Sequence, residues 1–226
     1  MPLYSVTQYR LSNNRMLNMP VIQAPKFISQ LPWSKFPLIL TWLCILCLIQ
    51  GAHYLSQTFF QQTWLEYQVT HGQLTQFWQP VTGHLVHSNL NHLLMNMAGL
   101  LTLWSLHGQY YKTKTFNYLV FSSSLFISGY LFLFSDIDVY VGFSGVLHTL
   151  VVWGALIDIK QKESTGYILL LAVTGKLVWE QISGASDSTV ELIGMQVATL
   201  AHLAGAIFAL LFFVFAPVFK SRPKFI

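Results

Sequence analysis

Long apolar blocks separated by short polar stretches set the pattern of this chain. A helix that crosses a bilayer needs about 20 largely apolar residues, within a range of about 17–25. Six segments fit that description: residues 37–55, 88–106, 114–134, 143–158, 166–182 and 197–218. The fourth is the shortest, and the fifth carries charges. The pattern predicts an all-α membrane protein built as a six-helix transmembrane bundle. It divides the chain into a polar, mildly basic N-terminal tail (residues 1–36), a six-helix domain (37–218) and a short basic tail (219–226).

Composition agrees. Of the 226 residues, 54% are hydrophobic and 9% charged, against about 25% charged in a soluble domain. The placement of the cations then orients the bundle. Arg10, Arg15, Lys26 and Lys35 precede the first span. Lys112 and Lys114 lie at the second connection, Lys160 and Lys162 at the fourth, and Lys220, Arg222 and Lys224 follow the sixth. The exception, Lys176, lies inside span five. Eleven of the twelve therefore fall on one side if there are six spans, and the positive-inside rule puts both termini in the cytoplasm. The tail shows no apolar run followed by a small-residue cleavage site. No cleaved signal peptide is expected, and span one serves as an uncleaved anchor. Residues 56–87 form a long outer loop rich in aromatics and glutamine, with Glu66 as its one charge. Such a loop suits the membrane interface. Cys44 and Cys47 have CxxC spacing, but a structural zinc site needs four ligands and no second cysteine pair exists. They read as ordinary apolar-facing side chains, and no metal or other cofactor is expected.

Polar residues inside spans are costly and tend to mark function. Ser144 stands in Gly142-Phe143-Ser144-Gly145 at the outer start of span four. Glycine permits close backbone approach, and the free N–H groups of a first helical turn can stabilise an oxyanion. His202 lies in span six among Ala201, Ala204 and Gly205, small residues that let a neighbouring helix come near. His92 and Asn96 share a face of span two, four residues apart, and both can donate hydrogen bonds. Each feature alone has a bland explanation in helix packing. Depth argues that they meet. At about 1.5 Å per residue, Ser144 lies about 21 Å from the cytoplasmic end of its span, His202 about 24 Å, His92 about 22 Å and Asn96 about 17 Å. A nucleophile, a base and two donors therefore stand on one level, beneath the outer surface. In span five, Lys176 and Glu180 are also four apart and can pair; the spacing leaves open a structural ion pair or a contact for substrate.

At these residues the chain resembles the rhomboid intramembrane serine proteases, with GxSG opening span four, His202 near Gly205 in span six, and His87…His92…Asn96 in span two. Within that family it is similar to the rhombosortase branch, through Thr82-Gly83-His84-Leu85-Val86-His87, the stretch Val141–His148 and Lys176–Gln181. The likeness covers roughly residues 37–218. It implies a bacterial inner-membrane enzyme with its site toward the periplasm. The implied substrates are exported, membrane-anchored proteins with a C-terminal transmembrane sorting signal of the GlyGly-CTERM type; no nucleic-acid partner is implied. Ser144 would be the nucleophile and His202 the base. Asn96, His92 and the backbone N–H of Ser144 would hold the oxyanion. No carboxylate is positioned by sequence to orient His202, so a Ser–His dyad is expected. The acyl-enzyme would pass to water or to an amine acceptor. One departure stands out: the family often carries Trp-Arg in the first outer loop, and here it is Trp78-Gln79, so the guanidinium's loop-fixing bonds would be missing. The rival from another class is a non-catalytic rhomboid-like chaperone or substrate-binding protein. Inactive relatives usually lose the serine or the histidine, and both are present. A transporter should show repeat symmetry, and a histidine metal site lacks HExxH-type spacing.

Overall fold

The computed structural model describes residues 6–10, 16–20 and 29–215. Residues Met1–Pro32 and Trp33–Ile226 are separate compact units. The first holds an antiparallel pair, β1 (Val6–Arg10) and β2 (Met16–Pro20), in register Val6↔Pro20 to Arg10↔Met16. The last three residues of the predicted sixth span, the basic tail and half of the N-terminal tail lie outside the described residues.

The second unit is mostly helical. Its long helices are α1 (Phe36–Phe60), α3 (Leu90–His107), α4 (Thr113–Phe134), α5 (Ser144–Lys160), α6 (Ser164–Ser183) and α8 (Thr199–Phe215), with short helices α2 (Gln79–Thr82) and α7 (Asp187–Ile193) between them. Each apolar block thus forms a helix. Among the described residues, α4 and the stretch Trp33–Phe60 are long and apolar enough to cross a membrane alone; α6 with α7, bent by 89°, would make a third, and α8 is a shorter apolar helix. At 17 residues, α5 rises only about 26 Å, and α3 is diluted by Asn91, His92, Asn96 and His107. Large apolar side chains such as Leu48, Phe59, Ile168, Leu171, Ile182 and Phe215 are exposed around the bundle. A soluble monomer rarely shows so much contiguous apolar surface; in a bilayer it is the expected exterior. This is a membrane protein.

Two expectations need correcting. Helix α1 runs five residues past the predicted boundary at 55. Apolarity fades at Ser56-Gln57, but the backbone ladder continues until Gln61 adopts a left-handed conformation (φ 53°) and closes it. The following segment is also not a plain loop. Strand β3 (Tyr67–Thr70) pairs antiparallel with β4 (Gln73–Leu74) and with β5 (Val139–Tyr140), in register Tyr67↔Tyr140. The outer segment is thereby fastened to the residues just before Ser144. Gln79 occupies the position of the absent arginine and is itself the anchor: buried, it accepts from Thr75 Oγ1 (2.8 Å) and the Gln68 N–H (3.3 Å), and donates to Trp64 O (3.4 Å). Glu66, the loop's one charge, lies 3.2 Å from His53 Nε2 of α1.

Helix α5 is the centre of the bundle. Ten of its 17 residues are buried, spread around the helix, as expected of a helix apolar on all sides. Against it lies α8, backbone to backbone. A Cβ on Gly205 would stand 2.1 Å from Gly145 O, and one on Gly145 would stand 3.0 Å from Ala201 O. Thr149 Oγ1 donates to Gly205 O across the same contact (2.9 Å). Small residues make this approach available, and it sets His202 beside Ser144.

Candidate active site

Ser144 is the first residue of α5. The turn before it is held from two sides: Gly142 N–H donates to Gly83 O (3.0 Å), and buried Tyr140 donates its hydroxyl to Gly142 O (2.7 Å). Gly142 has φ +119°, and a Cβ there would stand 2.7 Å from the His92 ring. The glycine thus serves both the strained turn and the close seating of His92.

Ser144 Oγ lies 2.8 Å from His202 Nε2. On the other edge of that ring, His202 Nδ1 lies 2.9 Å from Glu180 Oε2. A carboxylate only accepts, so Nδ1 carries the hydrogen and Nε2 presents its lone pair to the serine hydroxyl. This corrects the expectation that His202 has no carboxylate partner. Residue spacing within span five showed that Glu180 could reach Lys176; it could not show which residue of another helix Glu180 faces. The ion pair is present too, Lys176 Nζ to Glu180 Oε1 at 2.5 Å, but it takes only one carboxylate oxygen.

His148, one turn beyond Ser144, completes the cluster. Its Nδ1–H donates to Ser144 O (2.8 Å), its Nε2 accepts from Lys176 (3.3 Å), and its ring stacks on that of His202 with centroids 4.2 Å apart and planes 17° from parallel. The i,i+4 spacing from Ser144 was the signal available for it. His148, Glu180 and His202 each offer an atom that could ligate a metal, all within 4.8 Å of one another. The Lys176 ammonium already stands against two of these groups, so the protein supplies a cation of its own there.

From α3, Asn89 caps the helix by accepting from His92 N (2.8 Å), and buried Asn96 donates one amide hydrogen to His92 O (3.0 Å), leaving a second. His92 Nδ1 lies 3.1 Å from Ser88 Oγ, which is also 2.6 Å from Ile193 O at the end of α7. Ile193 O can only accept, so Ser88 donates its one hydrogen there and accepts from Nδ1–H of His92; turned to Nδ1 instead, that hydrogen would leave His92 protonated on Nε2 as a donor. Ser88 was not singled out in the sequence. His92, Asn96, Ser144, Lys176, Glu180 and His202 line one cavity of about 370 Å³, partly roofed by α7. Ser144 and His92 also wall a second cavity of about 140 Å³, toward Tyr140 and Met195. Gly142 lines neither and acts from below His92.

Fold and site define a helical membrane protein in which helices contributed from distant parts of the chain bring a serine, a histidine and a glutamate into one hydrogen-bonded line. The rhomboid domain model matches residues 74–217. Over 166 residues the chain is 30% identical to rhomboid protease GlpG of Pectobacterium atrosepticum, an alignment that takes in 72% of this chain and 56% of that protein. The chain belongs to the rhomboid family. It spans little more than half the length of that relative.

Proposed function

We propose that this protein is an intramembrane serine endopeptidase of the rhombosortase branch, cleaving GlyGly-CTERM-type C-terminal transmembrane signals from exported proteins. The observation that carries the reading is the 2.8 Å contact between Ser144 Oγ and His202 Nε2, made where α5 and α8 touch through Gly145 and Gly205. His202 takes the Ser144 proton as the hydroxyl oxygen attacks the scissile carbonyl. The oxyanion is met by the Ser144 N–H, the free amide hydrogen of Asn96 and, in the tautomer protonated at Nε2, His92; one such donor is typically worth about 2.7–4 kcal/mol. Collapse breaks the peptide bond, and His202 returns its proton to the leaving amine. Water then resolves the acyl-enzyme, or an amine acceptor does so by the same steps in reverse, which would transfer the product. The branch assignment rests on residues Thr82–His87, Val141–His148 and Lys176–Gln181.

The same reading takes α1, α3, α4, α5, α6 and α8 as six crossings of a bacterial inner membrane. Eleven of twelve cations then lie at cytoplasmic ends, both termini face the cytoplasm, and Ser144 opens below the periplasmic surface. Residues 1–36 and 219–226 are cytoplasmic tails flanking a catalytic domain at 37–218. A substrate with a basic end after its transmembrane helix would take the matching orientation. The test is covalent labelling of the full chain by a fluorophosphonate, with cleavage of a GlyGly-CTERM fusion in parallel. Both are expected in the wild type and in neither Ser144→Ala nor His202→Ala; cleavage persisting in either variant refutes the mechanism.

A further inference from the structure

We infer that Glu180 is a positioning residue, holding His202 in the tautomer and orientation that Ser144 requires, so that the reaction centre is a three-residue Ser–His–Glu relay braced by Lys176 and His148. The inference rests on the serine-hydrolase reading above. It goes beyond the Ser–His pair to the residue that fixes the base.

Four observations converge. First, the bond is made to the correct atom. Glu180 Oε2 lies 2.9 Å from His202 Nδ1 while Ser144 Oγ lies 2.8 Å from Nε2, so an acceptor on one edge of the ring dictates a lone pair on the other. Second, Glu180 is aimed inward. The buried residues of α6 are Gly166, Val173, Leu177 and Glu180, one stripe at helical spacing, and Glu180 is its only charged member. A buried carboxylate is costly unless its oxygens are engaged, and here both are. Third, the carboxylate cannot turn freely, because Lys176 holds Oε1 and is itself held by His148 Nε2. Fourth, the His148 ring lies flat against His202, so the base is fixed at its edge by Glu180 and across its face by His148. A purely structural Lys176–Glu180 pair would need neither the bond to His202 Nδ1 nor the His148 ring laid on His202.

During attack the Ser144 O–H bond breaks, its proton forms the Nε2–H bond, and the ring becomes an imidazolium. The Nδ1–H stays on the ring, and the Glu180 charge lies alongside the positive charge as it appears. Lys176 holds the carboxylate in place through Oε1 without touching the serine.

The experiment measures inactivation of the full-length protein by a fluorophosphonate, separating the bond-forming rate (kinact) from the binding constant (KI), alongside a melting curve. Replacing the carboxylate of a serine–histidine–aspartate unit by an amide lowers kcat about 10⁴-fold. Glu180→Gln is accordingly expected to lower kinact by at least about 100-fold, with KI and Tm close to wild type. Glu180→Asp keeps the charge and should recover at least about tenfold over Glu180→Gln. Lys176→Met, which removes only the brace, should cost less than Glu180→Gln. A kinact for folded Glu180→Gln within about threefold of wild type overturns the inference. So does Glu180→Asp no faster than Glu180→Gln, the comparison that decides if Glu180→Gln lowers Tm as well. Ser144→Ala separates the two levels: labelling that survives it refutes the serine reading itself, whereas its loss alongside an unaffected Glu180→Gln refutes only the relay.

Discussion

Gly205→Ala tests whether the packing of two helix backbones is what assembles the site. The added Cβ would stand 2.1 Å from Gly145 O, 3.0 Å from Gly145 C and 3.2 Å from Thr149 Oγ1, where ordinary contact begins at 3.4 Å. The obstacle is backbone on the central helix, so no rotamer change relieves it. Helix α8 must retreat by about 1.3 Å, the gap between 2.1 and 3.4 Å. His202 lies three residues away on α8. If it follows, its 2.8 Å contact with Ser144 opens toward about 4 Å, beyond hydrogen-bond range. Misplacement by about 1 Å can cost about 10²-fold in rate, and overpacking of this kind costs about 1–3 kcal/mol of stability. Fluorophosphonate labelling should therefore slow by about 10²-fold, and Tm should fall. Gly175→Ala is the control: nothing lies within 4 Å of a Cβ at that position, and both measures should stay at wild type. A Gly205→Ala protein that labels and melts like wild type would refute the claim that this contact sets the catalytic distance.

Asn96→Ala removes a candidate oxyanion donor without touching Ser144 or His202. It should lower the turnover of a GlyGly-CTERM fusion by about 10²–10³-fold with little change in KM; an equal loss in binding would reassign Asn96 to substrate recognition. Gln79→Ala strips three hydrogen bonds from the outer segment and leaves the Gln68 N–H and Thr75 hydroxyl to find other partners. A loss of about 1–3 kcal/mol is expected, read as a lower Tm in detergent, and an unchanged Tm would show that the segment is held by its strands alone.

The apolar blocks made the long helices legible, because in a lipid solvent every backbone group must be satisfied within its own segment. Ser144, His202, His92 and Asn96 were legible as a set because depth along a helix can be counted residue by residue. What could not be counted is rotation. The spacing of Lys176 and Glu180 gave their mutual contact but not the His202 edge that Glu180 faces, since that depends on how α6 is turned against α8. Helix α7 was hidden for a different reason: seven residues at Asp187–Ile193 are too few for a periodic signal, and the 89° bend before it leaves no pattern beyond Gly184. The pairing of Tyr67 with Tyr140 joins residues far apart in sequence, where period-2 alternation in four residues says little. The anchoring role of Gln79 was not legible because it depends on the Gln68 N–H, the Thr75 hydroxyl and the Trp64 carbonyl that the fold brings to it.

Ser88 has one hydroxyl hydrogen and two acceptors within reach, Ile193 O and His92 Nδ1. Both contacts are made together when Ser88 donates to Ile193 O and accepts from Nδ1–H of His92. While the hydrogen points to Ile193, the end of α7 is tied down and His92 offers no Nε2 donor in its neutral form. Were the Ile193 carbonyl withdrawn, that hydrogen would be free to turn to Nδ1 and His92 would gain its Nε2–H. The end of α7 and the proton on His92 would then be linked, and by reciprocity a group bound to Nε2–H would favour release of Ile193 by the same free energy.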